Sequence, residues 1–251
     1  MRLVNISLMS FLVVFFLGMA LSLSAKAQFG AGLGPGFGPF PVDPDHIPKN
    51  PYEKNYIRVS GCELKANGKS YQLHAPPNSL DEVFEILNLT ATGKKLIAAY
   101  EKQNSETPHK LTQLNTYVRQ QNNFPVKIGA VYMFNENGRT IFYDPQDDLG
   151  LLTVFFSHEL MHAIDPEVPP AYFEEIEAYK NKSKQEFEAV HAANAFRIER
   201  RAFDMQDKVL PELLSLTSCY EKFIQEHRDR NGLKLFLPTP DSYIRDSYNL
   251  N

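Results

Sequence analysis

The chain has 251 residues, with 26 basic and 30 acidic side chains and a formal net charge of −4. The charges are spread along the sequence and form no strongly basic segment, so we expect no nucleic-acid partner. Setting aside about fifty residues at the start, the remaining length fits one domain with its own hydrophobic core.

The chain begins with a segment typical of a secretory signal peptide. Arg2 precedes the apolar run FLVVFFLGMAL, and the segment ends in Ala25-Lys26-Ala27, the small-x-small pattern that signal peptidase recognises. An uncleaved membrane anchor is the alternative, but the apolar run is short and is interrupted by serine and glycine. We therefore expect residues 1–27 to be removed after Ala27, leaving a secreted or periplasmic protein that does not associate with the membrane.

Residues 28–50 are dominated by glycine and proline, which is typical of an extended, exposed linker. We assign residues 51–251 to a single domain. Its two cysteines are Cys62 and Cys219, and an oxidising compartment favours a disulfide between them over two separate buried thiols. The pair lacks C-x-x-C spacing, so such a bond would be structural. In the chain-entropy model, it would stabilise the fold by about 4 to 5 kcal/mol.

The first third of the domain predicts a hairpin followed by two short helices. YIRVSGCELKANGKSYQLH contains two short β-rich runs around Asn67-Gly68, a pair that tolerates positive φ. SLDEVFEILN has Ser79 as a helix N-cap and apolar residues on one face, and TGKKLIAAYEKQ is typical of a second helix. The segment PHKLTQLNTYVRQQNN is too weakly patterned to assign.

A second hairpin and a helix follow. GAVYMF and RTIFYD are rich in β-branched and aromatic residues, and the intervening NENG is typical of a hairpin turn. Asp147 or Asp148 then caps a helix that should run from about residue 149 to residue 164. The pair Asp165-Pro166 ends this helix, because the residue before proline disfavours helical geometry.

The last part of the domain predicts two long helices. A polar, proline-containing stretch over residues 166–183 is left unassigned, and QEFEAVHAANAFRIERRAFDMQDKVL then has apolar residues at helical spacing. PELLSLTSCYEKFIQEHRDR predicts a separate helix that starts at Pro211, and LKLFLPTPDSYIRDSYNLN predicts a surface coil. Together the elements indicate an α+β fold, mainly helical, with a small mixed sheet preceding the helix over residues 149–164.

That helix contains the pattern H-E-x-x-H, as His158-Glu159-Leu160-Met161-His162. Residues i and i+4 of a helix lie on one face, so both imidazoles can reach one metal ion. Glu159 lies beside them, where its carboxylate can accept a proton from a water molecule that Zn²⁺ activates. The alternative is a pair of core histidines whose ring nitrogens bond to carbonyl groups.

A tetrahedral zinc site needs a third protein ligand. The continuation H-x-x-G-x-x-H is absent, since Val168 stands where its last histidine would fall. Our choice is Glu199 on the long helix, because Ala195 and Ala202 on either side of it let two helices approach closely. Five other residues remain candidates as ligands or as supporting groups: Asp165, Glu174, Glu175, Glu177 and His191.

The segments SHELMHAID and IERRAF, both in the last hundred residues, resemble the zincin metallopeptidases, specifically the gluzincin type with a glutamate on a later helix. The resemblance implies a zincin-like fold and peptide-bond hydrolysis of a peptide or protein substrate. It implies one Zn²⁺ held by His158, His162 and Glu199, with Glu159 as general base. It also implies that the preceding strand, RTIFYD, is a sheet edge that aligns the substrate.

A catalytically inactive zincin-like binding or structural module is the alternative function. The sequence determines neither the substrate nor the oligomeric state. It also does not single out the residue that stabilises the oxyanion, for which there are four candidates: Tyr172, Tyr179, Tyr220 and His227.

Overall fold

The computed structural model describes residues 61–122, 129–135 and 138–250. The predicted signal peptide, the predicted linker and the first ten residues of the predicted domain lie outside the described residues. No described helix combines the length and the apolar character needed to cross a membrane. The described part of the chain is an α+β structure, mostly helical, with two small sheets.

The described strands are β1 (Glu63–Ala66), β2 (Lys69–Gln72), β3 (His109–Gln113), β4 (Ala130–Asn135) and β5 (Gly138–Tyr143). The described helices are α1 (Leu80–Leu87), α2 (Ala91–Glu106), α3 (Thr116–Asn122), α4 (Leu149–Ile164), α5 (Val168–Asn181), α6 (Lys184–Ser215), α7 (Ser218–Asn231) and α8 (Asp241–Tyr248).

Both predicted hairpins are present. β1 and β2 pair antiparallel around Asn67 and Gly68, whose φ angles of 52° and 74° are positive as the turn requires. β4 and β5 pair antiparallel in a second, three-stranded sheet of order β3-β5-β4, in which β3 runs parallel to β5. The segment that the sequence left unassigned therefore supplies β3 and α3.

The segment RTIFYD, whose first five residues belong to β5, does not form the sheet edge as expected. β5 lies between β3 and β4, so in the described part of the chain β3 and β4 are the outer strands of this sheet. The sequence-based assignment was wrong because the parallel pairing of β3, distant along the chain, covers the other side of β5. The edge nearest to the H-E-x-x-H helix is thus β4.

Helix α4 lies at the centre of the domain and has the predicted bounds. It is buried almost all round, since α1, α2, α6, α7 and the three-stranded sheet pack against it. Its first N–H groups, from Leu149 and Gly150, donate to the carbonyls of Ala75 and Leu73 at 2.8 and 3.0 Å. A Cβ at Gly150 would lie 2.8 Å from the Phe223 ring, so this contact requires glycine.

Helix α6 runs through Pro211, so the prediction that a new helix starts there is wrong. Proline lacks an N–H and disfavours a helix interior, but Leu210 and Leu213 on either side are buried in the core. Burial of these side chains outweighs the local penalty. The break falls after Ser215, and α7 begins at Ser218.

Two further segments are helical where the sequence predicted none. In α5, the residues Val168, Ala171, Tyr172 and Ala178 are buried at helical spacing, and the helix packs against α6 and β4. In α8, Ile244 is buried against α6, so the expected surface coil is wrong for this segment. These helices are short and largely polar, and their stability comes from packing against α6 rather than from intrinsic propensity.

Cys62 and Cys219 form a disulfide, with Cα atoms 5.5 Å apart, as predicted. The bond joins the residue that precedes the first hairpin to the first turn of α7. It therefore connects the two ends of the described domain across a sequence separation of 157 residues.

Candidate metal centre

His158 and His162 on α4 meet Glu199 on α6 at the centre of the domain. The Nε2 atoms of the two imidazoles are 3.1 Å apart. Glu199 Oε2 lies 3.2 Å from His158 Nε2, and Glu199 Oε1 lies 3.4 Å from His162 Nε2. All three side chains are buried. The three predicted ligands therefore converge, and this group could hold a metal ion.

These separations fit a tetrahedral metal site. Ligand atoms about 2.0 to 2.1 Å from an ion and at tetrahedral angles to one another lie about 3.3 Å apart. The two imidazole Nε2 atoms are 3.1 Å apart, and each lies 3.2 to 3.4 Å from a different oxygen of the Glu199 carboxylate. One donor atom from each of the three residues lies within 4.8 Å of the others, so a single ion can reach all three side chains. Three protein ligands also leave a fourth position for water or substrate.

Packing of α4 against α6 brings the ligands together. Ala195 and Ala202, which flank Glu199 on α6, are buried as expected for a close helix contact. The Phe203 ring packs edge-on against His158 at 4.5 Å between centroids, and the Tyr132 ring stacks on His162 at 6.2 Å. Each imidazole is therefore held in position by an aromatic neighbour.

The electrostatics of the cluster favour a bound positive charge. Burial raises the pKa of Glu199, but the adjacent His162 and His158 outweigh it and lower the pKa to about 2. Burial lowers the pKa of His158. For His162, the negative charge of Glu199 outweighs burial and raises the pKa. A buried carboxylate that stays ionised at any ordinary pH supplies the charge that a divalent cation needs.

Glu159 lies beside the cluster, but the hydrogen bond of its carboxylate is with β4. Its Oε2 accepts a 2.7 Å hydrogen bond from the backbone N–H of Tyr132 on β4. Burial raises the pKa of Glu159 to about 8, and the negative charge of Glu199 adds to this. A carboxylate whose pKa lies near neutrality can both accept and donate a proton, as a general acid-base group must.

The other candidate ligands lie outside the cluster. Asp165 Oδ2 is 2.7 Å from Arg201 Nε, an ion pair that joins the end of α4 to α6. The remaining four have other surroundings: Glu175 pairs with His191 at 3.0 Å, Glu174 accepts from Asn194 at 3.1 Å, and Glu177 is exposed.

None of the four candidate oxyanion residues is well placed. Tyr220 donates to the Gly150 carbonyl at 2.7 Å, and His227 lies 2.8 Å from Asp148 Oδ2. Tyr179 is 52 % exposed on the far part of α5. Tyr172 packs its ring against an aromatic residue of β4.

Tyr248, at the end of α8, was not predicted from the sequence as a residue of the site. Its hydroxyl is buried and lies against the Glu199 carboxylate, which acts on it through a hydrogen bond. Burial, the carboxylate of Glu199 and the charge of Glu159 raise the pKa of Tyr248, so the hydroxyl keeps its proton. Pro240 followed by Asp241 is a helix-start signal that could have predicted α8, but not its position over the cluster.

Comparison with protein-family models, with curated proteins and with solved structures found no match for this chain.

Proposed function

We propose that the protein is a zinc-dependent metallopeptidase with a zincin-like fold. The observation that carries the proposal is the convergence of His158, His162 and Glu199, with Glu159 buried beside them and bonded to the edge strand. A zinc ion bound there supplies Lewis-acid chemistry, activating a water molecule and polarising the peptide carbonyl. The histidine and carboxylate donor set suits Zn²⁺, which prefers such ligands at tetrahedral angles.

Glu159 acts as the acid-base group. It accepts a proton from the attacking water as the new bond to the carbonyl carbon forms. It then donates that proton to the nitrogen of the leaving amine as the carbon–nitrogen bond breaks. The hydrogen bond from the Tyr132 N–H holds this carboxylate beside the three candidate ligands.

Tyr248 donates a hydrogen bond to the carbonyl oxygen of the scissile bond as that oxygen gains negative charge. Two observations support this role: the hydroxyl is buried, and the carboxylates of Glu199 and Glu159 raise its pKa, so that it keeps the proton that the hydrogen bond requires. A donor aimed at developing charge in a buried site contributes more than it would in water.

The backbone of β4 is what positions Glu159. Asp144 N–H donates to the Gly129 carbonyl at 2.7 Å, which sets the alternation of the ladder with β5. By that alternation, the backbone groups of Tyr132 and Phe134 point away from β5. The Tyr132 N–H therefore faces Glu159 rather than β5, and it donates to the Glu159 carboxylate.

The protein acts outside the cytosol, in the secreted or periplasmic space. The disulfide supports this location, because such bonds persist in oxidising compartments. The signal-peptide pattern of residues 1–27 also supports a location outside the cytosol.

A metal-stabilised module without catalytic activity is the second candidate. The observation in its favour is the complete burial of the three ligands, since closed sites are typical of structural zinc. One experiment separates the two functions: metal analysis of the purified protein, followed by incubation of the zinc-loaded protein with a random peptide library. Bound zinc with peptide cleavage supports the peptidase. Bound zinc without cleavage supports the module, and a folded protein that takes up no zinc contradicts both.

A further inference from the structure

The candidate metal centre is closed to solvent in the structure. His158, Glu159 and His162 are each 1 % exposed, and Glu199 is 0 % exposed. A peptide cannot contact side chains that are covered in this way. Hydrolysis at the centre therefore requires that one of the elements covering it moves aside, as lids do in many enzymes.

Helix α8 covers the centre on the side of Glu199. Phe196, Glu199 and Phe203 are three and four residues apart on α6, so they share one face of that helix. The Arg245 guanidinium lies over the Phe196 ring, 4.2 Å from its centroid. The Tyr243 ring packs edge-on against Phe203, with 6.0 Å between centroids. Because α8 contacts the residues on both sides of Glu199, it lies across this carboxylate.

Tyr248 lies at the boundary between the surface and the centre. The residue is partly exposed, whereas its hydroxyl is buried and lies against Glu199. Displacement of α8 would withdraw this hydroxyl together with the ring that carries it. The Glu199 carboxylate would then be open to water on that side.

Helix α8 is held less firmly than the helices that supply the candidate ligands. It has eight residues, its buried side chain is Ile244, and it packs against α6. In contrast, α4 is buried almost all round. A helix as short as α8 is marginal without its packing, and elements with few buried apolar contacts open at a lower free energy than the core. α8 can therefore separate while α4 and α6 stay packed together.

The residue two positions before α8 is fixed to α6. Thr239 is buried, and its N–H and its hydroxyl donate to the two carboxylate oxygens of Asp207, both at 2.8 Å. The carbonyl of Thr239 accepts from the Arg200 guanidinium. Since the polar groups of Thr239 are all bonded to α6, a movement of α8 would begin after this residue.

From these contacts we infer that residues 240–250 form a lid that turns about Thr239 to open and close the centre. The open state admits the metal ion and the peptide, and the closed state returns the Tyr248 hydroxyl to its place beside Glu199. The role of the lid toward a peptide rests on the proposed peptidase function, whereas the opening itself does not.

Two pairs of matched variants test the lid. Ile244→Val and Arg245→Ala weaken the contacts between α8 and α6. Ile224→Val and Arg228→Ala make the same changes at a buried and an exposed residue of α7. Each zinc-loaded protein is mixed with excess chelator, and the rate of zinc release is followed with a chelating dye.

We expect zinc release to be about twofold to tenfold faster in the α8 variants, which is the effect of removing one buried methyl group or one cation–π contact. The α7 variants should release zinc at the wild-type rate. Equal acceleration by both pairs would show that zinc leaves only when the whole fold opens, and this result would overturn the lid. Release that the α8 variants leave unchanged would also overturn it.

Hydrogen exchange gives a second readout that needs neither zinc nor activity. In the metal-free wild type, the backbone amides of α8 should exchange faster than those of α4 and α6, and Ile244→Val should accelerate exchange in α8 alone. Exchange of α8 and α4 together, in one global unfolding, would contradict the lid. An α8 that opens in a protein that cleaves no peptide would count against the peptidase and would leave the lid supported.

Discussion

The backbone N–H of Tyr132 donates a 2.7 Å hydrogen bond to Glu159 Oε2. This bond joins the edge strand of the sheet to the helix that carries both histidines. It fixes the Glu159 carboxylate against β4. The residue that we propose as the acid-base group is therefore positioned by the sheet as well as by α4.

Glu159→Gln is expected to abolish hydrolysis while leaving the fold and the zinc content intact. The amide oxygen of glutamine can still accept from Tyr132 N–H, but the side chain can no longer take up a proton. Loss of an acid-base group costs about 10² to 10⁴ in rate. Peptide cleavage and zinc content by atomic emission are the measurements. Glu177→Gln, an exposed change on α5, is the control, and unchanged turnover in Glu159→Gln would remove this residue from the mechanism.

Glu199→Ala is expected to remove zinc binding. The wild type should bind one equivalent and gain thermal stability when zinc is added, because a ligand that binds only the folded state stabilises it. The variant should lose both effects, because the two remaining imidazoles supply no negative charge to balance that of the zinc ion. Glu212→Ala is the matched control, because Glu212 is also on α6 and its carboxylate accepts from Thr92 at 2.9 Å. Zinc uptake by Glu199→Ala equal to that of this control would exclude Glu199 as a ligand.

Tyr248→Phe is expected to lower kcat without changing KM or zinc affinity. Removal of one donor to a developing oxyanion costs roughly a hundredfold in kcat. Tyr243→Phe serves as control, because Tyr243 is on the same helix and packs against Phe203 rather than presenting its hydroxyl to the two carboxylates. A fall in zinc affinity in Tyr248→Phe, with kcat preserved on saturation, would instead assign Tyr248 to the positioning of Glu199.

The stability of the metal-free protein should depend on the protonation of Glu159. In the folded protein the pKa of Glu159 is about 8, which exceeds the ordinary value of 4.5. Between pH 4.5 and pH 8, the folded state therefore keeps a proton on Glu159 that the unfolded state has released. The contribution of the protonated Glu159 to the free energy of unfolding is therefore complete below about pH 4.5 and is lost as the pH rises toward 8. Urea unfolding in chelator should show the wild type losing up to about 1.4 kcal/mol per pH unit relative to Glu159→Gln. Parallel curves for the two proteins would contradict the raised pKa.

Removal of the disulfide should destabilise the fold without affecting the metal centre. Cys62→Ala/Cys219→Ala frees the two ends of a long closed loop in the unfolded chain, which costs about 4 to 5 kcal/mol in the chain-entropy model. Chemical denaturation of both proteins measures the loss. Zinc affinity of the folded variant should match the wild type, because neither cysteine contacts the ligands. A loss below about 1 kcal/mol would show that the denatured chain gains little freedom.

The parts of the molecule that the sequence predicted are those set by local patterns. The bounds of α4 follow from its apolar run and from Asp165-Pro166, and the two imidazoles follow from one turn of that helix. Glu199 was predicted because small neighbours marked its face of α6. The disulfide followed from compartment and from the count of two cysteines.

The parts that the sequence did not predict depend on distant packing. β3 pairs with β5 across about thirty residues, and nothing local in HKLTQ indicates this parallel neighbour. Pro211 stays helical because buried residues surround it. Tyr248 reaches the centre because Ile244 and Leu250 anchor the last helix in the core, and two apolar residues are too few to give a pattern.

The Cys62–Cys219 bond makes a covalent ring that contains His158, His162 and Glu199. A single backbone nick anywhere inside this ring leaves the two fragments attached. A nick at Lys182, where α5 ends, would separate the histidines from Glu199 along the chain but not in space. A nicked molecule would migrate as one species until a reductant is added, so cleavage of the backbone alone would not release either half of the candidate centre.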